Sequence, residues 1–231
     1  MKTFVVGDIH GQANALAQVL GESGFNPKED KLIVLGDIVD GGPQTYEVVE
    51  ILLTIDNIEM ILGNHDHWFI RFLNGGIKFD KDSYSEYQTW FKQGGEATRK
   101  SYEKHGYKET VPVSHQFIYN RMQPYYIDDK NRLFVHGGIR LDIPIEKQGI
   151  ETFMWDRDLI VDSRLNKPTP YKNIFVGHTD TRFISGNTDP ILYPNGVILL
   201  DTGAGWRGGK LTLMDVDTLQ FWQSQEVGDG R

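Results

Sequence analysis

Five short apolar runs in this 231-residue chain end alike, each giving way within two residues to a side chain with oxygen or nitrogen donors. Phe4-Val5-Val6 stops at Gly7-Asp8, Leu32 to Leu35 at Gly36-Asp37, and Met60-Ile61-Leu62 at Gly63-Asn64. Further on, Leu133-Phe134-Val135 stops at His136-Gly137-Gly138 and Ile174-Phe175-Val176 at Gly177-His178. Two more runs, Val197 to Leu200 and Leu211 to Met214, lead into Asp201-Thr202-Gly203 and Asp215. Continuous apolar runs of this length suit strands buried on both faces. Segments with helical periodicity lie between the first three, over Gln12 to Leu20 and Gln44 to Leu53. That order predicts an α/β fold with parallel pairing at its start. In such sheets functional groups collect at the carboxyl ends of the strands, which here carry Asp8, His10, Asp37, Asn64, His65, His136 and His178.

Composition narrows what those groups can do. The chain has no cysteine, so disulfides, thiolate metal sites and cysteine nucleophiles are excluded, and any metal falls to His, Asp, Glu or Asn. Such oxygen and nitrogen donors suit Mn, Fe, Zn and similar divalent ions. The net charge of -8 argues against nucleic-acid binding through phosphate contacts and against anionic membranes. No run approaches the roughly 18 apolar residues of a membrane span, and Gly7, Asp8 and His10 interrupt the first run too early for a signal peptide. A chain starting at Met1 in the cytoplasm is the expectation.

A single domain over residues 1–223 is expected, since no linker-like stretch divides the chain, with a fraying tail from Ser224 to Arg231. Residues 66–125 read as a mainly helical segment rich in aromatics, among them Trp68, Phe69, Phe72, Tyr84, Tyr87, Trp90 and Phe91. Two readings fit it: packing against the sheet, or a wall over a substrate cleft. Asn195-Gly196 predicts a hairpin turn. The stretch Leu35 to Pro43, with Asp37, Asp40, Gly41 and Gly42, taken alone reads first as a tight turn, with part of a site as the alternative.

Taken together, Gly7-Asp8-Ile9-His10-Gly11, Gly36-Asp37-Ile38-Val39-Asp40, Gly63-Asn64-His65-Asp66, His136-Gly137-Gly138 and Gly177-His178-Thr179 resemble the ordered motifs of calcineurin-like metallophosphoesterases. Met154-Trp155-Asp156-Arg157, Asp201 to Ala204 and Gly209 to Thr212 resemble the phosphoprotein phosphatase branch, especially its small bacterial and phage-type Ser/Thr phosphatases. The resemblance implies a four-layer α/β/β/α sandwich of two mixed sheets flanked by helices. It implies that Asp8, His10 and Asp37 bind one divalent ion and that Asp37, Asn64, His136 and His178 bind a second, with Asp37 bridging and manganese the first choice over Fe, Zn, Ni or Mg. Two ions about 3.5 to 4 Å apart can activate one water and steady the attacking and leaving oxygens together. Phosphate-monoester hydrolysis requires accelerations of up to about 10²¹, so concentrated positive charge is a physical need.

The same resemblance makes His65 the general acid, oriented by Asp40, and Arg157 the phosphate clamp, for which a guanidinium fork is suited. The plainer readings are a hydrogen-bonded strand-end histidine and a surface arginine paired to Asp156 or Asp158. Trp155 reads as core, Asp66 as an orienter of a ligand, and Asp201 as either an orienter or a turn residue. His67 is placed on the helix after Asn64, and His105 and His115 are expected to be solvated. The branch has arginine where this chain has Gly41, leaving Arg157 as the clamp unless Arg71, Arg140 or Arg182 reaches in. Asp66 replaces the usual Glu, as in hydrolases of diadenosine polyphosphates and other nucleotides. The expectation is a metal-dependent phosphoric ester hydrolase working by attack of metal-bound hydroxide, with Ser/Thr phosphoprotein phosphatase first. A dinucleoside polyphosphate or nucleotide hydrolase, a phosphodiesterase and a non-catalytic binding protein are the alternatives. The sequence leaves oligomeric state open.

Overall fold

The computed structural model describes residues 1–79, 81–82 and 85–228. Its first half alternates as the apolar runs predict: β1 (Thr3–Val6), α1 (Ala13–Ser23), β2 (Lys31–Val34), α2 (Thr45–Leu53), β3 (Asn57–Met60) and α3 (Asn64–Leu73). Next comes a helical stretch of α4 (Glu86–Trp90), a π turn (Phe91–Gly95), α5 (Glu96–Lys104) and α6 (Val113–Asn120). The second half holds β4 (Tyr125–Ile127), β5 (Arg132–Val135), α7 (Ile150–Trp155), α8 (Asp158–Arg164), β6 (Asn173–Val176) and α9 (Arg182–Ser185). It closes with β7 (Ile191–Leu192), β8 (Val197–Leu199), β9 (Thr212–Asp215) and β10 (Phe221–Gln223).

Two mixed five-stranded sheets result, in the orders β10-β9-β1-β2-β3 and β4-β5-β6-β8-β7. The central strands β1, β2, β5, β6, β8 and β9 are buried almost throughout because each distributes alternate side chains to two different cores. Val5 and Ile33 from the first sheet meet Phe134, Phe175 and Ile198 from the second in a layer between the sheets. Phe4, Val6, Leu32 and Val34 face the opposite way, onto α1, α2 and the helical segment. Leu133, Val135, Ile174 and Val176 pack with Phe153 and Leu159 on the far side. The four-layer α/β/β/α arrangement follows. β1, β2 and β3 run parallel in one sheet, and β5, β6 and β8 in the other. The carboxyl ends of both sets carry the residues singled out from sequence.

The hairpin predicted at Asn195-Gly196 joins antiparallel β7 and β8. The aromatic segment packs: Tyr87, Trp90 and Tyr102 are buried with Phe69 and Tyr119 in the helical core. Tyr84 lies outside the described residues. His115 corrects the expectation of a solvated side chain. It is fully buried, donating to Glu50 Oε1 at 2.7 Å, with the Tyr102 hydroxyl 2.9 Å from its Nδ1. His105 is exposed, stacked on Tyr46 at 3.8 Å between ring centroids. Ser224 and Val227 are buried, and the Val227 N–H donates to Gly209 O at 2.8 Å. Residues 229–231 lie outside the described residues. Among the described residues no helix is long and apolar enough to cross a membrane.

Candidate active site

β1, β2, β3 and β6 end by turning their next polar side chains into one cleft of about 320 Å³, bordered by Asp8, His10, Asp37, Asn64, His65 and His178, while His136, after β5, is fully buried. The turns are tight enough that His10, Asp37, Asp40 and His178 all adopt left-handed backbone, with φ of 48°, 48°, 67° and 62°. Non-glycine residues hold such conformations where the surroundings over-determine them, as at functional sites. Gly63 shows how close the packing is. A Cβ there would lie 2.1 Å from Asp37 Oδ1.

Asp37 is central to the geometry. Its Oδ2 is 3.8 Å from His10 Nε2 and 3.4 Å from His136 Nε2, and its Oδ1 accepts the His65 N–H at 2.9 Å. It belongs to two donor groups, one with His10 and His65 and the other with His136 and His178. Asp8 stands just outside the first, its Oδ2 4.0 Å from His10 Nε2 and both oxygens accepting the His178 N–H at 3.1 Å. Asn64 Oδ1 is 3.0 Å from His136 Nε2. All six ligand positions expected from sequence therefore converge. His65 is also near enough to offer a nitrogen to the first group, a proximity that sequence did not anticipate.

Two of the imidazoles have their tautomers set by backbone carbonyls. His10 Nδ1 donates to Val39 O at 3.0 Å and His136 Nδ1 to Leu35 O at 2.8 Å, which turns each Nε2 toward the carboxylates. His178 Nε2 is buried without a hydrogen-bond partner. Burial, then His136 and Arg157, push its pKa down to about 2, so its ring is neutral with a lone pair to give. Burial and the nearby Asp201 and Asp37 carboxylates push the Asp8 carboxyl well above its ordinary range. Burial works against the charge of His136, but Asp37 and Asp8 raise its pKa to about 10. Such a cluster draws positive charge, and its oxygen and imidazole donors suit divalent cations.

Asp66 supports the centre as sequence suggested. Fully buried, it accepts the backbone N–H of Asp37 at 2.6 Å, Ile38 at 3.0 Å and Gly63 at 3.1 Å. Asp201 serves the turn reading, accepting the Gly203 N–H at 3.0 Å, while also bordering the cleft. His65 donates from Nδ1 to Asp40 Oδ2 at 2.7 Å.

Arg157 borders the cleft, and its neighbours are engaged elsewhere: Asp158 pairs with Arg140 at 3.4 Å, and Asp156 accepts the Asp158 N–H. Arg71 pairs with Glu86 and Arg182 with Asp180, and none of the three alternative arginines is among the residues bordering the cleft. Trp155 corrects the core reading. It is 36% exposed, borders the cleft and meets His178 edge-on at 5.4 Å between centroids. Gln93, Phe183 and Trp206 also border the cleft and were missed in sequence, because they come from the π turn, α9 and a loop with no motif. His67, on α3 as placed, is not among the residues bordering it.

Comparisons with known proteins agree with this geometry. A symmetrical bis(5'-nucleosyl)-tetraphosphatase of Neisseria gonorrhoeae is 24% identical, over 99% of this chain and 97% of its own length. An asymmetrical bis(5'-nucleosyl)-tetraphosphatase of Bacillus thuringiensis is 28% identical, over 93% and 90%. The solved structure of a candidate diadenosine tetraphosphatase superposes with a TM-score of 0.72 at 18% identity, covering 98% of this chain and 94% of that one. The sequence model for calcineurin-like phosphoesterases matches residues 1–203, and the chain belongs to that metal-dependent hydrolase family.

Proposed function

We propose that this protein is a dinuclear-metal hydrolase of dinucleoside polyphosphates or related nucleotides, acting in the cytoplasm with manganese. The observation that carries the reading is the aromatic border of the cleft. Trp155, Trp206 and Phe183 are 36%, 40% and 78% exposed beside the charged centre, where a base can stack while its phosphates reach Arg157. The names of the full-length relatives point the same way. This places the phosphoprotein phosphatase reading second. Gly41, where that branch carries an arginine, offers no guanidinium, and none of Arg71, Arg140 and Arg182 supplies one.

In this reading Asp8, His10 and Asp37 would hold one ion, and Asp37, Asn64, His136 and His178 the other. Two ions bound there would supply positive charge against the phosphate and acidify the attacking water. Arg157 holds phosphate oxygens through its fork. His65, anchored at Nδ1 by Asp40, presents Nε2 to the departing oxygen as the proton donor. A nucleotide leaves as a stabilised phosphate anion, so His65 matters most for alkyl phosphates.

The test is a comparison of diadenosine tetraphosphate, a phosphoserine peptide, p-nitrophenyl phosphate and bis-p-nitrophenyl phosphate under manganese. The highest kcat/KM is expected on the dinucleotide. Trp155→Ala should raise KM for it roughly 10-fold, in keeping with about 1 to 3 kcal/mol for stacking one base, and leave KM for p-nitrophenyl phosphate unchanged. A preference for the phosphopeptide, indifferent to Trp155, would restore the protein-phosphatase reading.

A further inference from the structure

The Asp40 carboxylate that orients His65 is fully buried, and the helical segment holds it from two sides. Thr98 Oγ1, on α5, donates to Asp40 Oδ1 at 2.7 Å and accepts the Asp40 N–H at 2.8 Å. Trp90 Nε1, at the end of α4, donates to Asp40 Oδ2 at 2.9 Å, the same oxygen that receives His65 Nδ1. Asp40, Trp90 and Thr98 are each fully buried.

The chain between these two donors has the shape that the contact requires. α4 and α5 meet at a π turn in which Gln93 and Gly94 leave helical geometry, Gly94 at φ 109°. A Cβ on Gly94 would lie 2.4 Å from the Gly41 nitrogen, and one on Gly95 would lie 2.4 Å from the Trp90 ring. The Gly41 N–H donates to Gly94 O at 3.4 Å. Trp90, Gly94 and Thr98 are four residues apart and so lie along one face of the segment; the π turn between them is where Gly94 comes up against Gly41, and π turns recur at functional sites.

We propose that Trp90 and Thr98 are positioning residues for the Asp40–His65 pair, so that the segment 86–104 sets the direction in which His65 offers its proton. Two donors fix both carboxylate oxygens, and Asp40 at φ 67° cannot relax into a commoner backbone while Thr98 holds its N–H. Without either donor the carboxylate turns about its terminal torsion, and the imidazole follows it. The proposal rests on the reading of His65 as proton donor.

The test uses Trp90→Phe, which keeps the ring, and Thr98→Val, which keeps the shape, with His65→Gln as benchmark. Proton NMR of the magnesium-loaded protein, which is diamagnetic, should show a low-field His65 Nδ1–H signal, absent in His65→Gln. Each variant should shift or broaden that signal. Each should also lower kcat on an alkyl phosphate roughly 10-fold, part of the 10² to 10⁴ ascribed to general acids. KM and the rate on p-nitrophenyl phosphate should stay within about two-fold, because that leaving group scarcely needs a proton. Melting temperatures are measured first, and if Trp90→Phe does not fold, Thr98→Val carries the test. An unaltered signal in a folded variant overturns the positioning role. Equal losses for His65→Gln on both substrates, with the signal still displaced in the variants, would instead remove the acid role and leave the positioning intact.

Discussion

Asp66 shows how much of a site can rest on a residue that need not touch substrate. Burial and the Asp37 carboxylate push its pKa up to about 7, while three N–H donors favour its ionised form. An amide would turn an N–H toward at least one backbone N–H. Asp66→Asn should therefore cost about 1 to 3 kcal/mol, the penalty for an unsatisfied buried donor, read as a lower urea midpoint, together with weaker metal-dependent activity. Gly41 illustrates the opposite case. In sequence it looks like an open place for a missing arginine, but its φ is +87° and a Cβ would sit 3.3 Å from Gly205 O. Gly41→Arg would mix backbone strain with added charge, so Gly41→Ala is the necessary control. The strand-end donors were legible because glycine and a polar residue after an apolar run is a local pattern. Trp90 and Thr98 were not, since they reach Asp40 across 50 and 58 residues.

At the level of elements, strand periodicity did most of the work, and the loops did what periodicity cannot report. Asp30, just before β2, accepts the Lys2 N–H at 2.6 Å and the Asn26 N–H at 3.1 Å, tying the entry of β1 to the entry of β2. Burial opposes its charge, but those two N–H bonds hold the carboxyl below its ordinary 3.8. A carboxyl depressed in the folded state stabilises above its unfolded pKa and loses that stabilisation as pH falls through the folded value. Asp30→Asn should thus be less stable than wild type at neutral pH, with the gap closing below about pH 4 in denaturant titrations across pH. The aromatic segment was legible as helical and as packing. Its second role, through the π turn at Gly94, depends on a glycine conformation that the sequence alone does not declare.

Across the whole molecule, the carboxyl ends of two parallel strand sets face one cleft, which gathers Asp8, Asp37, Asp180 and Asp201 beside three imidazoles. Mutual repulsion among these carboxylates makes the folded state a better cation binder than the unfolded chain. Saturating manganese, at about 100 times Kd, should add about 2.7 kcal/mol and raise Tm by roughly 5 to 10 °C. Calorimetry with and without chelator checks this, and Asp37→Ala should abolish the shift. By itself the sequence determined which runs form the central strands, which polar residues stand at their ends, and the family, because hydrophobic period and strand-end chemistry are written within a few residues of one another. Only the tertiary structure decided that Trp155 faces the cleft, that Arg157 is unaccompanied by Arg71, Arg140 or Arg182, and that a helical segment holds Asp40. Those outcomes depend on where two sheets and a distant turn meet, a matter of packing between residues far apart in the chain.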